Sequence, residues 1–352
     1  MSELSNLLEQ TVDRLFQDLA RAESNDNLGA PEQARMWEKI EELGIANIFL
    51  PEEDGGMNGS WLDASIIFRL CGYYALSLPV CETAIARKLA HDHKIEIPVC
   101  PIALGRCSNG IISGNDAADP PLFTGTIRTV STVLGNSMII SSLPSSTDFD
   151  YVLLDPRHAY GTMESTNVAG EARHTYHFEN VRGLMLKGDG DGPNRMTRYG
   201  AVLRACQSAG ALAGCLEKCL QYTGDRIQFG RPLKRFQAVQ HQLALLAEEA
   251  AAVYSASSAA ACAMEKDEAA FEISCAKLRS NQAAGPATSI THQVHGAIGF
   301  TREHKLYLHT QRLWAWRSEF GNDQYWAQII GRQMLDLNRK SAWSLITSRG
   351  DG

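Results

Sequence analysis

The chain has 352 residues and carries 33 Lys and Arg against 40 Asp and Glu, which gives a formal net charge of −7. The length predicts two or three domains, and the ordinary apolar (44%) and charged (21%) fractions exclude a disordered, collagenous or coiled-coil protein. The acidic balance argues against a dedicated nucleic-acid-binding protein, and no apolar run is long enough to span a membrane.

Residues 1–94 have the pattern of successive helices. Leucine, valine and phenylalanine recur at steps of three and four residues between positions 4 and 19, which predicts one apolar helix stripe. A second helix is predicted to end at Gly44, and a third to cover residues 61–74. The polar run at 51–56 between them is predicted to be a loop. We therefore expect an N-terminal α-helical domain.

The spacing of apolar residues changes over residues 95–190, where short segments rich in β-forming residues alternate with clusters of turn-forming residues. Strands are predicted at 99–104, 123–133, 137–141, 151–154 and 174–178. Short strands at this spacing favour an antiparallel barrel or sandwich over βαβ units. No GxGxxG motif follows any of them, so a Rossmann nucleotide-binding domain is not supported.

Residues 191–352 return to a helical pattern. Helices are predicted over 194–225, 236–264, 267–296, 302–316 and 323–338. Alanine and other small residues dominate them, which is typical of helices that pack closely in an antiparallel bundle. The predicted fold class is therefore α+β multidomain, with the order α, then β, then α.

The nine cysteines are odd in number and form no close CxxC pair. With no signal peptide visible at Met1, they predict reduced thiols and a cytoplasmic protein. We expect no metal site, because zinc ligands come in pairs at short spacing. Four histidines that lack carboxylate partners at ligand spacing are predicted to be solvated or in the core: His241, His292, His295 and His304.

Two segments of the last region combine glycine, glutamine, arginine and aromatic residues. In the first, over residues 225–241, Arg226 sits at a helix corner, where its guanidinium suits phosphate oxygens, and Gln237 opens the next helix, whose N-terminus favours an anion. In the second, over 293–301, Gly296 and Gly299 allow a ligand to approach the backbone. The residues alone leave two alternatives open: a helix corner in which Arg226 caps carbonyls, and a simple helix C-cap.

Taken together and in register, these segments resemble the acyl-CoA dehydrogenase family. The first is similar to the family's "R.QFG.P" and "fQavqhkLA" motifs, and the second to "Q.hGGiGf", with Ala297 in place of one glycine. The loop at 51–56 is similar to "vPeeyGG", so the resemblance covers nearly the whole chain. It implies an N-terminal helical domain (1–94), a middle β-barrel (95–190) and a C-terminal four-helix bundle (191–352).

The resemblance also implies FAD as cofactor. The FAD is expected at a subunit interface, where the arginine corner of one subunit contacts the cofactor of its neighbour. Arg226 and Gln228 are then expected near the pyrophosphate, and Phe229 and Phe236 on the adenine side. Gln293, Gly296 and Gly299 are expected to hold the ADP half from the other side. The implied reaction is α,β-dehydrogenation of an acyl-CoA thioester, in which a carboxylate removes the α-proton and hydride passes to the flavin.

The chain departs from the family pattern at the catalytic base and the flavin ring. Most members carry the base in a "YEGT" turn before the last helix; here Glu319 is the candidate, and its alternative role is a carboxylate near a helix terminus. No "TEp.aGSD" stretch is recognisable in the β region. The motifs of the ADP-binding half of the site are thus present, whereas those of the flavin-binding half are missing or altered.

The text from Gly299 to His309 resembles shorter family members that form α2β2 heterotetramers in steroid or other bulky acyl-CoA degradation. In these, one subunit brings the base and flavin pocket, and this chain resembles the other, completing subunit. Two alternatives stay open: a catalytically silent structural partner, and a self-sufficient homotetramer that uses Glu319. The expected electron acceptor is an electron-transfer flavoprotein or a similar acceptor, although an oxidase is also compatible with the sequence.

Overall fold

The computed structural model describes residues 3–23, 30–114, 121–129, 131, 134–145, 147–266, 269–301 and 304–335. The helices and strands of this part follow one another as α1 (Glu3–Glu23), α2 (Ala30–Glu42), α3 (Trp61–Tyr73), α4 (Val80–Asp92), β1 (Ile102–Cys107), β2 (Ile111–Ser113), β3 (Leu122–Thr129), β4 (Met138–Ser142), β5 (Phe149–Leu154), β6 (Gly161–Met163), β7 (Thr175–Arg182), β8 (Leu184–Lys187), α5 (Gly192–Asp225), β9 (Ile227–Gln228), β10 (Arg231–Pro232), α6 (Gln237–Ala263), α7 (Ala270–His295), α8 (Tyr307–Trp316) and α9 (Asp323–Leu335).

Helices α1 to α4 pack around an apolar core, as the spacing of their residues predicts. Val12, Phe16 and Leu19 of α1 are all buried, so the predicted stripe faces the core. Helix α3 begins with a reciprocal capping box, in which the Ser60 hydroxyl accepts from the Asp63 amide and the Asp63 carboxylate accepts from the Ser60 amide. These local signals explain why the helix boundaries near residue 61 were predictable.

Strands β1 to β8 form one eight-stranded sheet in the order β6-β7-β3-β1-β4-β5-β8, with β2 paired to β3, and β9 and β10 form a separate pair. The β1–β4 pair is parallel and the other pairs are antiparallel, and the path of these strands does not close into a barrel. The sandwich prediction therefore describes this region better than the barrel. The strands that the sequence pattern missed, β2, β6 and β8, have three or four residues each, too few for a period to show.

Helices α5, α6 and α7 form the centre of the C-terminal region, and α8 and α9 pack on α5 and α7. Helix α5 also crosses α3 at very close range. A Cβ added to Gly210 would lie 1.8 Å from the Arg69 carbonyl oxygen, and one added to Gly72 would lie 1.9 Å from the Gln207 carbonyl oxygen. Glycines on both helices thus permit the contact that joins the N-terminal helices to the C-terminal ones.

Two further expectations concern the membrane and the cysteines. No helix of the described ranges is long and apolar enough to cross a membrane. All nine cysteines lie in the described part, and none of them forms a disulfide. Six of them are buried and behave as small apolar side chains: Cys71, Cys81, Cys100, Cys206, Cys215 and Cys219.

Candidate functional site

The arginine corner is a tight hairpin that the sequence did not reveal. Helix α5 ends at Asp225, and Arg226 leads into β9, which pairs with β10 in the register Gln228–Arg231. Phe229 and Gly230 at the tip both have positive φ, 53° and 79°, as the turns that best fit such hairpins require. The helix thus ends at Asp225, five residues before Gly230, and Gly230 and Pro232 form part of the projecting hairpin rather than the end of the helix.

The hairpin presents aromatic and polar side chains to solvent. Phe229 is 90% exposed at the tip, and its ring lies 6.1 Å from the ring of Phe236. The Arg231 guanidinium lies 4.2 Å from the centre of the Phe236 ring, a cation–π contact. Gln228 and Gln237 are also exposed. The structure thus brings Gln228, Phe229, Phe236 and Gln237 together on one accessible corner beside Arg226.

The glycine segment after α7 gives its two glycines different roles. Gly296 has φ 64° and ψ −144°, a conformation that is essentially confined to glycine, and a Cβ built there would meet no atom within 4 Å. At Gly299 a Cβ would lie 2.9 Å from the Cβ of His295, so the space beside Gly299 belongs to the protein itself. Gln293 is exposed on the last turn of α7. Open approach is therefore available at Gly296 and Gln293.

An aromatic stack holds the two segments against each other. The ring of Tyr222, one turn before Arg226, stacks on His295 at 4.7 Å, and the His295 ring lies 4.6 Å from His304. Arg226 and His304 line one groove of about 420 Å³. The corner and the segment after α7 are thus neighbours in a single chain. Within the described ranges, no group of three His, Cys, Asp or Glu side chains is arranged to hold a metal ion.

Glu319 is buried between two arginines. Its Oε2 accepts from Nε of Arg204 at 2.7 Å, and its Oε1 accepts from Nη2 and Nε of Arg173 at 2.8 and 3.0 Å. The side chains of Glu319 and Arg204 are only 9% and 3% exposed. Two guanidiniums therefore already satisfy the charge of the carboxylate that the sequence suggests as a base.

These contacts belong to a longer chain of alternating charges, which we call the ionic network. Arg204 also pairs with Glu82 of α4 at 3.0 Å, Arg173 pairs with Glu171 at 2.9 Å, and Glu171 pairs with Arg312 of α8 at 2.8 Å. Burial acts to raise the pKa of Glu171, but Arg312, Arg173 and Arg204 outweigh it and lower that pKa to about 2. The six members, in order of contact, are Glu82, Arg204, Glu319, Arg173, Glu171 and Arg312.

Helix α7 fixes the turn that carries Glu319. The Lys277 ammonium donates to the Trp316 carbonyl at 2.9 Å, and the Asn281 amide donates to the Gly321 carbonyl at 3.3 Å, so both ends of the turn are held. Phe320 and Gly321 both have positive φ, which shows how tightly the turn is bent. Burial lowers the pKa of Lys277 to about 7. The position of Glu319 is therefore set by contacts on every side.

Sequence reasoning missed five of the six members of the ionic network. A signal was available at Arg204, which interrupts the apolar run Ala201-Val202-Leu203 and the following Ala205-Cys206. A charged residue within such a run must be paired when it is buried. The partners could not have been found this way, because Glu82 and Glu171 lie in segments that are distant in sequence.

The groove beside Arg226 and the surroundings of Glu319 differ in what they can hold. The groove is open and carries Lys218, Arg226 and Lys305, and the Nδ1 atom of His304 is buried there without a hydrogen-bond partner among the described residues. These features fit a phosphorylated ligand such as the ADP half of a dinucleotide. Around Glu319 the strong donors and acceptors already pair with one another, and the cavity lined by Arg173 and Arg204 has a volume of only about 10 Å³.

The sequence matches two domain families of known proteins. Residues 2–91 match the acyl-CoA dehydrogenase N-terminal domain, and residues 194–335 match the acyl-CoA dehydrogenase C-terminal domain. The acyl-CoA dehydrogenase IpdE2 of Mycolicibacterium smegmatis is 26% identical over 324 residues, which are 89% of this chain and 93% of that relative. The acyl-CoA dehydrogenase FadE34 of Mycobacterium tuberculosis is 29% identical over 297 residues, 82% of this chain and 40% of that relative.

Solved structures share the fold. A chain of the ChsE4–ChsE5 complex from Mycobacterium tuberculosis superposes with a TM-score of 0.77 at 16% identity, over 96% of this chain and 98% of that one. The FAD complex of PigA gives a TM-score of 0.77 at 17% identity, over 95% and 98% of the two chains. At these identities the likeness establishes the order of helical, sheet and helical regions.

Proposed function

Because the chain belongs to the acyl-CoA dehydrogenase family, we propose that it completes the cofactor site of a hetero-oligomeric enzyme that dehydrogenates an acyl-CoA thioester at the α,β position. The family makes the chain an oxidoreductase that acts on acyl-CoA. The proposal assigns the exposed corner around Arg226 to the ADP half of FAD bound in a neighbouring subunit. It assigns proton abstraction to that neighbour.

One observation supports this assignment of roles to two subunits: the Arg226 corner is exposed, whereas Glu319 is buried and paired. Arg226 is exposed beside an open groove, with Phe229 projecting from the hairpin next to it. Glu319, in contrast, is held by Arg173 and Arg204 in a closed network. A general base must reach the proton of the substrate, and both carboxylate oxygens of Glu319 already accept hydrogen bonds from arginines in a buried position.

In this proposal the chain's own residues bind and orient the cofactor. The Arg226 guanidinium and the Gln228 amide would hold the diphosphate. Phe229 and Phe236 would pack on the adenine side. Gln237 lies at the N-terminus of α6, which favours an anion. Gln293 and Gly296 would approach from the end of α7. Bound FAD supplies the hydride acceptor.

A second family member is the proposed partner. The ChsE4–ChsE5 structure is that of a complex, and a further structural relative is the Tcur3481–Tcur3483 steroid acyl-CoA dehydrogenase. By analogy we infer a tetramer that acts in fatty acid or steroid catabolism and passes electrons to an electron-transfer flavoprotein or a similar acceptor. Cysteines that form no disulfide bond support the cytoplasm as its location.

The test is purification of the tagged chain from its native host, with the partner identified by mass spectrometry and flavin measured by absorbance. We expect a longer acyl-CoA dehydrogenase and flavin to co-purify with the wild-type chain. Arg226→Ala should leave the complex assembled but remove most of the flavin, because the diphosphate loses its fixed guanidinium. Arg35→Ala, at an exposed position of α2, is the matched control and should keep the flavin.

Two outcomes would favour the alternatives. If the Arg226→Ala complex keeps its flavin, the chain is a structural partner that takes no part in the cofactor site. If the chain purified alone is yellow and dehydrogenates acyl-CoA, it is a self-sufficient enzyme and Glu319 becomes the base to test.

A further inference from the structure

Five aromatic rings surround the Gly296–Phe300 turn that follows α7. The ring of His295 stacks on Tyr222 of α5 at 4.7 Å and lies 4.6 Å from the ring of His304, which precedes α8. One helical turn before His295, the ring of His292 stacks on Phe300 at 4.5 Å. We call these five rings the histidine cluster. The cluster joins the turn and the start of the α8 segment to the ends of α5 and α7.

The three imidazoles of the cluster are placed as neutral rings. His295 is 2% exposed, and its Nδ1 donates to the Thr291 carbonyl at 2.8 Å, so the neutral ring carries no proton on Nε2. That Nε2 is buried without a hydrogen-bond partner among the described residues, and so are the Nδ1 atoms of His292 and His304. Protonation would therefore bury a positive charge at an atom that forms no hydrogen bond in the described part of the chain.

The elements around the cluster bring several titratable groups to it. From α5, Lys218 faces His304, and the Cys219 sulfur lies 3.8 Å from Nδ1 of His295. Burial raises the pKa of the Cys219 thiol to about 12, so this thiol is neutral. From α7 comes the ring of His292. The groove beside His304 is lined by further charged groups, which are Asp225, Arg226 and Lys305. A charged imidazole would thus meet Lys218 and a second imidazole at close range.

These surroundings lower the pKa of all three histidines, and burial is the largest cause at each. Lys218 adds to the effect at His304, and the neighbouring imidazoles add to it at His295, where the Thr291 and Lys218 carbonyls act in the opposite direction. The stabilisation by neutral rings is fully present above the ordinary value of 6.5 and is lost as the pH falls below it, because the unfolded chain takes up protons first. The loss begins well above the range in which carboxylates take up protons.

The backbone beside the cluster contains a hinge. Gly296 has φ 64° and ψ −144°, and a Cβ built there would meet no atom within 4 Å. We propose that the histidine cluster is a pH switch, which holds the Gly296–Phe300 turn on α5 and α7 at neutral pH and releases it in mildly acidic solution. The switch goes beyond the proposed function and needs no bound cofactor.

Hydrogen exchange followed by mass spectrometry tests the switch on the full-length chain without added flavin. The comparison is between peptides that cover the Gly296–Phe300 turn at pH 7.5 and 5.5, after correction for the intrinsic pH dependence of exchange. We expect about tenfold less protection at pH 5.5, because each histidine that is protonated only in the open state contributes up to a factor of about ten per pH unit below 6.5. Peptides of α3 should keep their protection, since the release is local.

Variants that keep the rings but remove the titration identify the histidines. The double variant His295→Phe/His304→Phe should keep most of its protection at pH 5.5, and His304→Phe alone, at a half-buried position, should lie between it and wild type. His241→Phe, at an exposed histidine of α6, is the matched control and should respond like wild type. Circular dichroism at pH 7.5 shows whether each variant is folded.

Equal protection of the wild-type turn at the two pH values overturns the switch, and so does the same acid loss in His304→Phe as in wild type. A loss that extends equally to α3 also overturns it, because the release would then be global unfolding. None of these outcomes bears on flavin retention by the complex, which tests the proposed function separately.

Discussion

At the scale of single residues, Glu319 shows how a candidate base named from the sequence can be surrounded by partners that the sequence does not reveal. The sequence position before the last helix suggested a base, and the structure holds this carboxylate between Arg173 and Arg204. Glu319 was a candidate because it lies in the turn before the last helix, where most family members carry the base. The neutralising partners were not predicted, because Arg173 lies in a loop 146 residues away.

We predict that Glu319→Gln lowers the free energy of unfolding by about 3 kcal/mol, the effect of leaving buried charges without their partner. The measurement is urea unfolding of the purified chain, with Glu53→Gln at an exposed position of a short 3-10 turn as the control, which should change stability by less than about 0.5 kcal/mol. In the flavin-containing complex, folded Glu319→Gln should retain dehydrogenase activity. Loss of activity at unchanged stability would instead identify Glu319 as the base.

At the scale of elements, sequence patterns located the long helices well and the short elements poorly. Helix α5 was predicted over 194–225 and is observed over Gly192–Asp225. The agreement is close because helix-breaking residues lie on both sides of a long sequence with a helical period. The β9–β10 hairpin was missed because two-residue strands carry no period, although Phe229-Gly230 is a turn signal. The parallel β1–β4 pair was missed because strand order depends on contacts between distant segments.

The crossing of α3 and α5 gives a prediction at this scale. A Cβ at Gly210 would lie 1.8 Å from the Arg69 carbonyl oxygen, so Gly210→Ala must push the two helices apart. We expect a loss of about 2–3 kcal/mol in the free energy of unfolding, as for other overpacked cores. Gly285→Ala in α7, where a Cβ meets no atom within 4 Å, should stabilise the chain by about 0.5–1 kcal/mol. Equal urea midpoints for the two variants would show that the crossing relaxes freely.

At the scale of the whole molecule, the ionic network connects the three regions of the chain. Glu82 belongs to the N-terminal helices, Glu171 and Arg173 to the sheet region, and Arg204 and Arg312 to the C-terminal helices. The α-β-α order was predicted from the period of each region. How the regions attach to one another was not, since it depends on glycine contacts and ion pairs between distant residues.

The lowered pKa of Glu171 predicts an acid limit to stability. The folded value of about 2 lies below the ordinary 4.5, so the stabilisation is fully present above pH 4.5 and is lost as the pH falls from there through 2. Urea unfolding at a series of pH values should show this fall in wild type, and Glu171→Gln should be less stable at neutral pH and flatter between pH 4.5 and 2. Parallel curves for the two proteins would contradict the assignment.

The alternating order of the network also bears on how the sequence can diverge. Glu319 and Glu171 each contact two guanidiniums, and Arg204 and Arg173 each contact two carboxylates, so replacing any one of these four removes an ion pair from both of its neighbours. Each single substitution should then lower the stability of the folded chain. Joint replacement of neighbouring members by apolar residues should be tolerated. In related sequences these positions should therefore be conserved together or substituted together. Such covariation would identify other chains that contain the same ionic network.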